Sequence, residues 1–239
     1  MKLTILSILL ITFAFATSLT NPAKNDNNNI QDFPSICLDQ GACFKGSWIN
    51  TIHGGESGAF ASFQGIRYAK PPLGSLRFKS PEPYVYDEGI YYVSQESTIS
   101  CFATGPMSDD YGTILGQEDC LVINVYIPKH PVFDDNSLNT SLPVMVYIHG
   151  GGLTESNNNY NEYGPQYFME KKVVLVVINY RLGPFGFLSM GTSDVPGNAG
   201  FRDQTLVSRS IETILKFEIK NCTFNLLTYT ILKNYFPRQ

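Results

Sequence analysis

The stretch with the clearest chemical content is His149-Gly150-Gly151-Gly152, which follows directly on the apolar run Val144 to Ile148. Three successive glycines at the carboxyl end of a buried strand do nothing to stabilise it, because glycine packs no side chain and gives up the most conformational entropy on folding. What they permit is close approach of backbone N–H groups to a ligand. In acyl transfer the tetrahedral intermediate gathers negative charge on the former carbonyl oxygen, and N–H donors held about 2.7–3.1 Å from that atom lower the barrier. A His-Gly-Gly-Gly loop after a strand is a known form of such an oxyanion loop; the bland alternative is a flexible glycine turn.

A serine nucleophile would have to be raised on a Gly-x-Ser-x-Gly turn from strand into helix, with small residues on both sides so that the turn can form. Downstream of the glycine loop the chain holds no such sequence: serine stops at Ser210, glycine at Gly200 and histidine at His149 itself. Gly55-Glu56-Ser57-Gly58-Ala59 has small residues around a serine. It lies in an amino-terminal turn before any central strand, so Ser57 is not expected to be catalytic. The chain therefore offers an oxyanion loop without nucleophile or base, and no catalytic residue is expected within it.

Several elements must position that loop. Trp48 to Ile52 and Ala59 to Phe63 are rich in aromatic and β-branched residues and flank the glycine-rich turn His53 to Gly58, which predicts a β-hairpin. Pro71-Pro72-Leu73-Gly74 stops regular structure, and Pro81 and Pro83 keep the following stretch extended. Leu121 to Ile127, Val144 to Ile148 and Val173 to Ile178 read as strands. The last is apolar on both faces, as expected for a strand covered on each side within a largely parallel sheet. An Asn-rich loop, Ser156 to Asn161, and a short helix within Gly164 to Lys171 fit between the last two strands. Strand, helical connection and strand make the βαβ unit of an α/β fold.

Composition agrees with a folded domain: of 239 residues 43% are hydrophobic, 13% aromatic and only 16% charged, which excludes a disordered polymer, a collagen and a coiled coil. With 17 basic against 21 acidic residues the net charge of −4 gives no field to draw in phosphate backbones, so no nucleic-acid partner is expected.

Five motifs stand in a recurring order. They are Phe63-Gln64-Gly65-Ile66-Arg67-Tyr68-Ala69-Lys70-Pro71-Pro72-Leu73-Gly74-Ser75-Leu76-Arg77-Phe78, then Glu118-Asp119-Cys120-Leu121, the glycine loop, Asn179-Tyr180-Arg181-Leu182-Gly183-Pro184-Phe185-Gly186-Phe187, and Pro196-Gly197-Asn198 followed by Asp203-Gln204. Together they resemble the type-B carboxylesterase family, which includes cholinesterases and many secreted insect esterases. The resemblance runs from about Cys43 to Leu206, and Arg67 stands where many members have proline.

The resemblance implies the amino-terminal part of an α/β-hydrolase fold, an incomplete and mostly parallel central sheet preceded by the hairpin. It implies that Gly151 and Gly152 donate N–H groups to the oxyanion within the loop begun by His149 and Gly150, with His149 a framing residue and not the catalytic base. It implies a Cys101–Cys120 disulfide and two buried, architectural ion pairs, Arg77 with Glu118 and Arg181 with Asp203. The reaction it implies is hydrolysis of a small-molecule carboxylic ester by the full-length parent, with no cofactor and no metal. Family members are usually much longer and carry their acid and histidine in a part not present here. The chain is accordingly expected to be an esterase cut off before its nucleophile, and inactive alone. Strands apolar on both faces, such as Val173 to Ile178, would then lack a neighbour or a covering layer. The rival reading is a non-catalytic, esterase-like binding or adhesion protein, which a complete serine-less domain followed by a stalk would mark.

The amino terminus places the chain in a compartment. Met1 and Lys2 precede an apolar run from Leu3 to Phe15, and Ala14-Phe15-Ala16 supplies the small-x-small pattern of a cleavage site, so residues 1–16 read as a secretory signal. The run is shorter than the roughly 20 residues that cross a bilayer, so no membrane span is expected after cleavage and the protein is expected outside the cell. Residues 17–36 form a polar, Asn-rich lead-in with no expected structure. Residues 37–206 carry the partial domain and 207–239 a divergent tail, where Ile211, Ile214, Leu215, Ile219, Cys222 and Leu226 approximate one helical face. In an oxidising compartment five cysteines predict disulfides with one thiol left over, expected at Cys222, while the pairing of Cys37 with Cys43 stays open. Asn139 and Asn221 head sequons and are candidate glycosylation sites.

Overall fold

A computed structural model describes residues 33–52, 58–93, 99–103, 115–129 and 142–215. In chain order the strands are β1 (Ser35–Cys37), β2 (Ala42–Lys45), β3 (Ser47–Asn50), β4 (Ala59–Arg67), β5 (Gly89–Tyr92), β6 (Val122–Pro128), β7 (Val144–Ile148) and β8 (Val174–Ile178). The helices are α1 (Tyr160–Tyr163), α2 (Gln166–Met169), α3 (Gly183–Phe187) and α4 (Ala199–Leu215). Strands β1, β2 and β5 make a small sheet, and the main sheet runs in the order β3-β4-β6-β8-β7.

The expected hairpin is β3 against β4, antiparallel from Ser47 opposite Ser62 to Asn50 opposite Ala59. Ser57 lies outside the described residues, as do Asn139, Asn221 and Cys222. The βαβ unit is also present, with β7 and β8 parallel from Val144 opposite Val174 to Ile148 opposite Ile178. Its connection holds two single-turn helices, the first opening at Tyr160 inside the stretch expected to be loop. Asn159 caps that turn by accepting a hydrogen bond from the Asn161 N–H.

Two expectations about the sheet need correction. Within the main sheet parallel pairing is confined to β7 and β8, while β3 with β4, β4 with β6 and β6 with β8 pair antiparallel; the small sheet pairs β2 with β5 in parallel. Parallel neighbours require a crossover connection, which in the main sheet the helical segment between β7 and β8 supplies. Nor does the strand around Val174–Ile178 lack a neighbour, since β8 is flanked by β6 and β7 and every residue in it is buried. On the β8 side the outer described strand is β7, where Met145 and Tyr147 are 40% and 39% exposed.

Side chains alternate across β8 into two cores. Val174, Val176 and Ile178 join Phe63, Ile66, Ile123 and Val125 with Val207, Ile211 and Ile214 of α4. Leu175 and Val177 pack on the other face with Phe60, Tyr126 and Met169 of α2. A helix on each face explains an uninterrupted Val-Leu-Val-Val-Ile run without reference to strand direction. Helix α4 continues through residues 206 and 207. Strands β1, β2 and β5 and a 3-10 turn at Gly74–Leu76 are additions that the sequence did not signal, and β1 begins at Ser35, within residues 17–36 where no structure was expected.

The expected Cys101–Cys120 disulfide is present, and the pairing left open, Cys37 with Cys43, is a disulfide as well. Cys37 and Cys43 face each other across β1 and β2, and Cys101 bonds Cys120. The second closes a loop of sequence separation 19, whose loss of denatured-state entropy stabilises the fold by about 3 kcal/mol. Replacing Cys101 and Cys120 together by serine is expected to lower the urea-measured stability by about that amount and to raise the m-value, because the uncrosslinked denatured chain exposes more surface; unaltered unfolding would show that the bond does not constrain the chain. No helix among the described residues is long and apolar enough to cross a membrane.

Candidate functional site

The glycine loop leaves the carboxyl end of β7 beside the parallel end of β8, so its position is set by the paired Ile148 and Ile178. His149, 3% exposed, turns back into the protein. Its ring stacks on Tyr180 with centroids 4.5 Å apart, and the Tyr180 hydroxyl donates to the His149 carbonyl at 3.0 Å. Its Nδ1 lies 2.9 Å from the Gly150 carbonyl. A carbonyl only accepts, so Nδ1 carries the proton and the imidazole is a donor fixed inside the loop. Nε2 is then the ring's acceptor, but the imidazole is buried against Tyr180 and turned away from the loop's outer side.

Burial holds the His149 pKa below its ordinary 6.5, against the opposing pull of the Gly150 carbonyl. In the unfolded chain the ring takes its proton near 6.5, so below that pH the unfolded state binds more protons than the folded one. Stability contributed here is present above 6.5 and is lost as the pH falls from there toward the depressed folded value. Urea unfolding at steps down to about pH 5 is expected to show this decline, and His149→Gln is expected to flatten it; parallel curves for the two proteins would contradict it.

Gly151 has φ +107°, and a Cβ there would sit 2.3 Å from the Glu155 carbonyl oxygen, so no other residue fits. Gly152 has φ +60° and is exposed. The Gly151 carbonyl accepts from Thr154 N at 3.0 Å and Glu155 N at 3.2 Å, closing a tight turn. The N–H groups of Gly151 and Gly152 have no acceptor among the described residues. Two adjacent unpaired N–H donors on a fixed loop can bind an oxyanion.

Neighbouring segments brace the loop. Leu153 O accepts the Gly183 N–H at 2.7 Å, tying it to the start of α3. Buried Asn124 of β6 accepts from Gly65 at the β4 bulge and donates to Asn158 O, each at about 2.8–2.9 Å, joining the sheet centre to the segment after the glycines. Tyr68 donates to Asn179 O at 2.8 Å.

Arg181 and Asp203 form the expected buried pair. Backbone N, Nε and Nη2 of Arg181 all donate to the Asp203 carboxylate at 2.7–3.0 Å, with side chains 3% and 0% exposed. Burial pushes the Asp203 carboxyl up, and the Arg181 donors pull against that shift. Arg77 and Glu118 pair at 2.6 Å through two donors, but this pair is not buried: Arg77 is 41% exposed. It follows the 3-10 turn at Gly74–Leu76, none of whose residues is buried. A third bidentate pair, Arg67 with Asp119, was not anticipated. The departure from proline at position 67, beside an acidic Glu118-Asp119 dipeptide, was its only signal. A cleft of about 250 Å³ lined by Tyr68, Tyr84, Tyr86 and Arg209 lies apart from the glycine loop.

The model of the carboxylesterase family matches residues 45–213, spanning every motif and the loop. The chain belongs to that family. It is 38% identical over 157 residues to a juvenile hormone esterase of Heliothis virescens, covering 64% of this chain and 27% of that protein. With a juvenile hormone esterase of Tribolium castaneum the identity is 39% over 171 residues, 70% of this chain and 27% of that protein. Venom carboxylesterase-6 of Apis mellifera is 36% identical over 157 residues, 66% of this chain and 27% of that protein. The crystal structure of juvenile hormone esterase from Manduca sexta, with OTFP covalently attached, superposes with a TM-score of 0.65 at 30% identity, covering 78% of this chain and 33% of that one. The fold of this carboxylesterase chain is therefore part of an α/β hydrolase, and the chain spans 27% of the length of the relatives it matches.

Proposed function

We propose that this chain carries the oxyanion-binding part of a carboxylic ester hydrolase and, taken alone, lacks the nucleophile, acid and base that complete the reaction. The observation that carries the reading is the pair of unpaired N–H donors at Gly151 and Gly152, on a loop where Gly151 admits no side chain. In the parent reaction a serine oxygen attacks the acyl carbon, a histidine takes and later returns the proton, and the former carbonyl oxygen becomes the anion these donors hold. The relatives are named for a hormone esterase and a venom carboxylesterase, which supports the ester class and not one particular ester.

The signal-like residues 1–16 and the disulfides at Cys37–Cys43 and Cys101–Cys120 support a secreted protein, with Asn139 and Asn221 as glycan acceptors and Cys222 as the remaining thiol. Arg77–Glu118 and Arg181–Asp203 serve as architecture.

Titration with diethyl phosphate, a tetrahedral monoanion, tests the donor reading. In a ¹H–¹⁵N spectrum the Gly151 and Gly152 amides are expected to move downfield saturably while amides of β3 and β4 stay still. Movement at neither glycine would remove the basis for an oxyanion site.

A further inference from the structure

We propose that Thr154 is a positioning residue for the oxyanion donor at Gly152, an inference that rests on reading the Gly151 and Gly152 N–H groups as that site. Besides the backbone donors of Thr154 and Glu155, the Gly151 carbonyl accepts the Thr154 hydroxyl at 3.1 Å. The Gly151 carbonyl and the Gly152 N–H belong to one peptide unit. No peptide bond here is cis, and in a planar trans unit the two groups point in opposite directions. Whatever anchors the carbonyl from behind thus aims the N–H forward.

Little else can aim it. A Cβ placed on Gly152 would meet only the Thr154 hydroxyl, at 3.8 Å, so no wall of side chains confines this peptide. At Gly152 and Leu153 the backbone lies at φ +60° and +66°, a region that the loop must be held in. The Gly151 donor is held by the same device one peptide earlier, because His149 Nδ1 donates to the Gly150 carbonyl and the Gly151 N–H points away from it. A buried imidazole thus backs one donor and an exposed hydroxyl backs the other. Donation to the carbonyl also polarises the amide and strengthens its N–H as a donor. The two backbone donors come with any tight turn, so the hydroxyl is what the residue type at 154 adds.

Thr154→Val removes the hydroxyl and keeps the shape; Thr154→Ser keeps the hydroxyl and drops the methyl. With the full chain, Thr154→Val is expected to move the Gly152 amide proton upfield and leave Gly151 in place. It should weaken diethyl phosphate binding by about two- to tenfold, the worth of one net hydrogen bond. Thr154→Ser is expected to restore both. If Thr154→Val loses the dispersed spectrum of the parent, Thr154→Ala takes its place in the same comparison. An unmoved Gly152 amide in a folded Val or Ala variant overturns the proposal, as does a shift that serine fails to reverse. If the parent glycines ignore diethyl phosphate while Gly152 still responds to the hydroxyl at 154, positioning stands and the oxyanion reading falls.

Discussion

Asp203→Ala is expected to destabilise the fold by about 3–5 kcal/mol. The carboxylate is fully buried at the start of α4 and accepts from three nitrogens of Arg181, which is itself 3% exposed. Removing it leaves a buried guanidinium between β8 and α3 with its charge unanswered. Arg181 Nη1 has no hydrogen-bond partner among the described residues, so among them the pair is imperfectly satisfied even when intact. For that reason the double change Arg181→Met with Asp203→Leu should cost less than either single replacement, since it removes both desolvated charges together. Arg77→Ala, by contrast, releases an exposed pair and should alter stability little. Urea denaturation of these variants, with the single replacements Arg181→Met and Asp203→Leu beside the double, measures all of this. Equal losses for Asp203→Ala and Arg77→Ala would show that burial does not set the strength of these pairs.

What the sequence made legible follows from what its patterns encode. Alternation and the glycine-rich turn report a two-stranded pairing whose strands are neighbours in sequence, so β3 and β4 could be read directly. The crossover between Ile148 and Val174 is long enough for helices, so the parallel pair β7 and β8 was legible as well. The run Val174 to Ile178 reports burial on both faces and carries no record of direction. It sits between one antiparallel and one parallel neighbour, and only long-range pairing decides which. Strand β5 is short and pairs with β2 from 47 positions away, with a burial pattern that alternates only between intermediate and exposed, so no local period marks it. At the site, three glycines after a strand announced donors, because nothing structural calls for them. The exposure of Arg77 and the Arg67–Asp119 pair depend on which side of a loop faces water, and the motif spacing does not contain that. Thr154 gave no signal at all, since a threonine in a turn is ordinary until its hydroxyl is placed on one particular carbonyl.

The second large effect concerns turnover. Oxyanion donors without a nucleophile leave at best about 10³–10⁴-fold over water, and that only for a substrate bound in the productive pose. Here the donors at Gly151 and Gly152 are presented, while the chain has no Gly-x-Ser-x-Gly after them and no histidine beyond His149, whose ring is buried against Tyr180. The central claim is that this polypeptide holds one half of an esterase site. It is tested most directly by hydrolysis of p-nitrophenyl acetate by the purified chain, before and after an organophosphate and beside Ser57→Ala. The account predicts a rate that neither treatment changes, with no serine labelled. A rate abolished by the organophosphate, with the label recovered on Ser57, would contradict it.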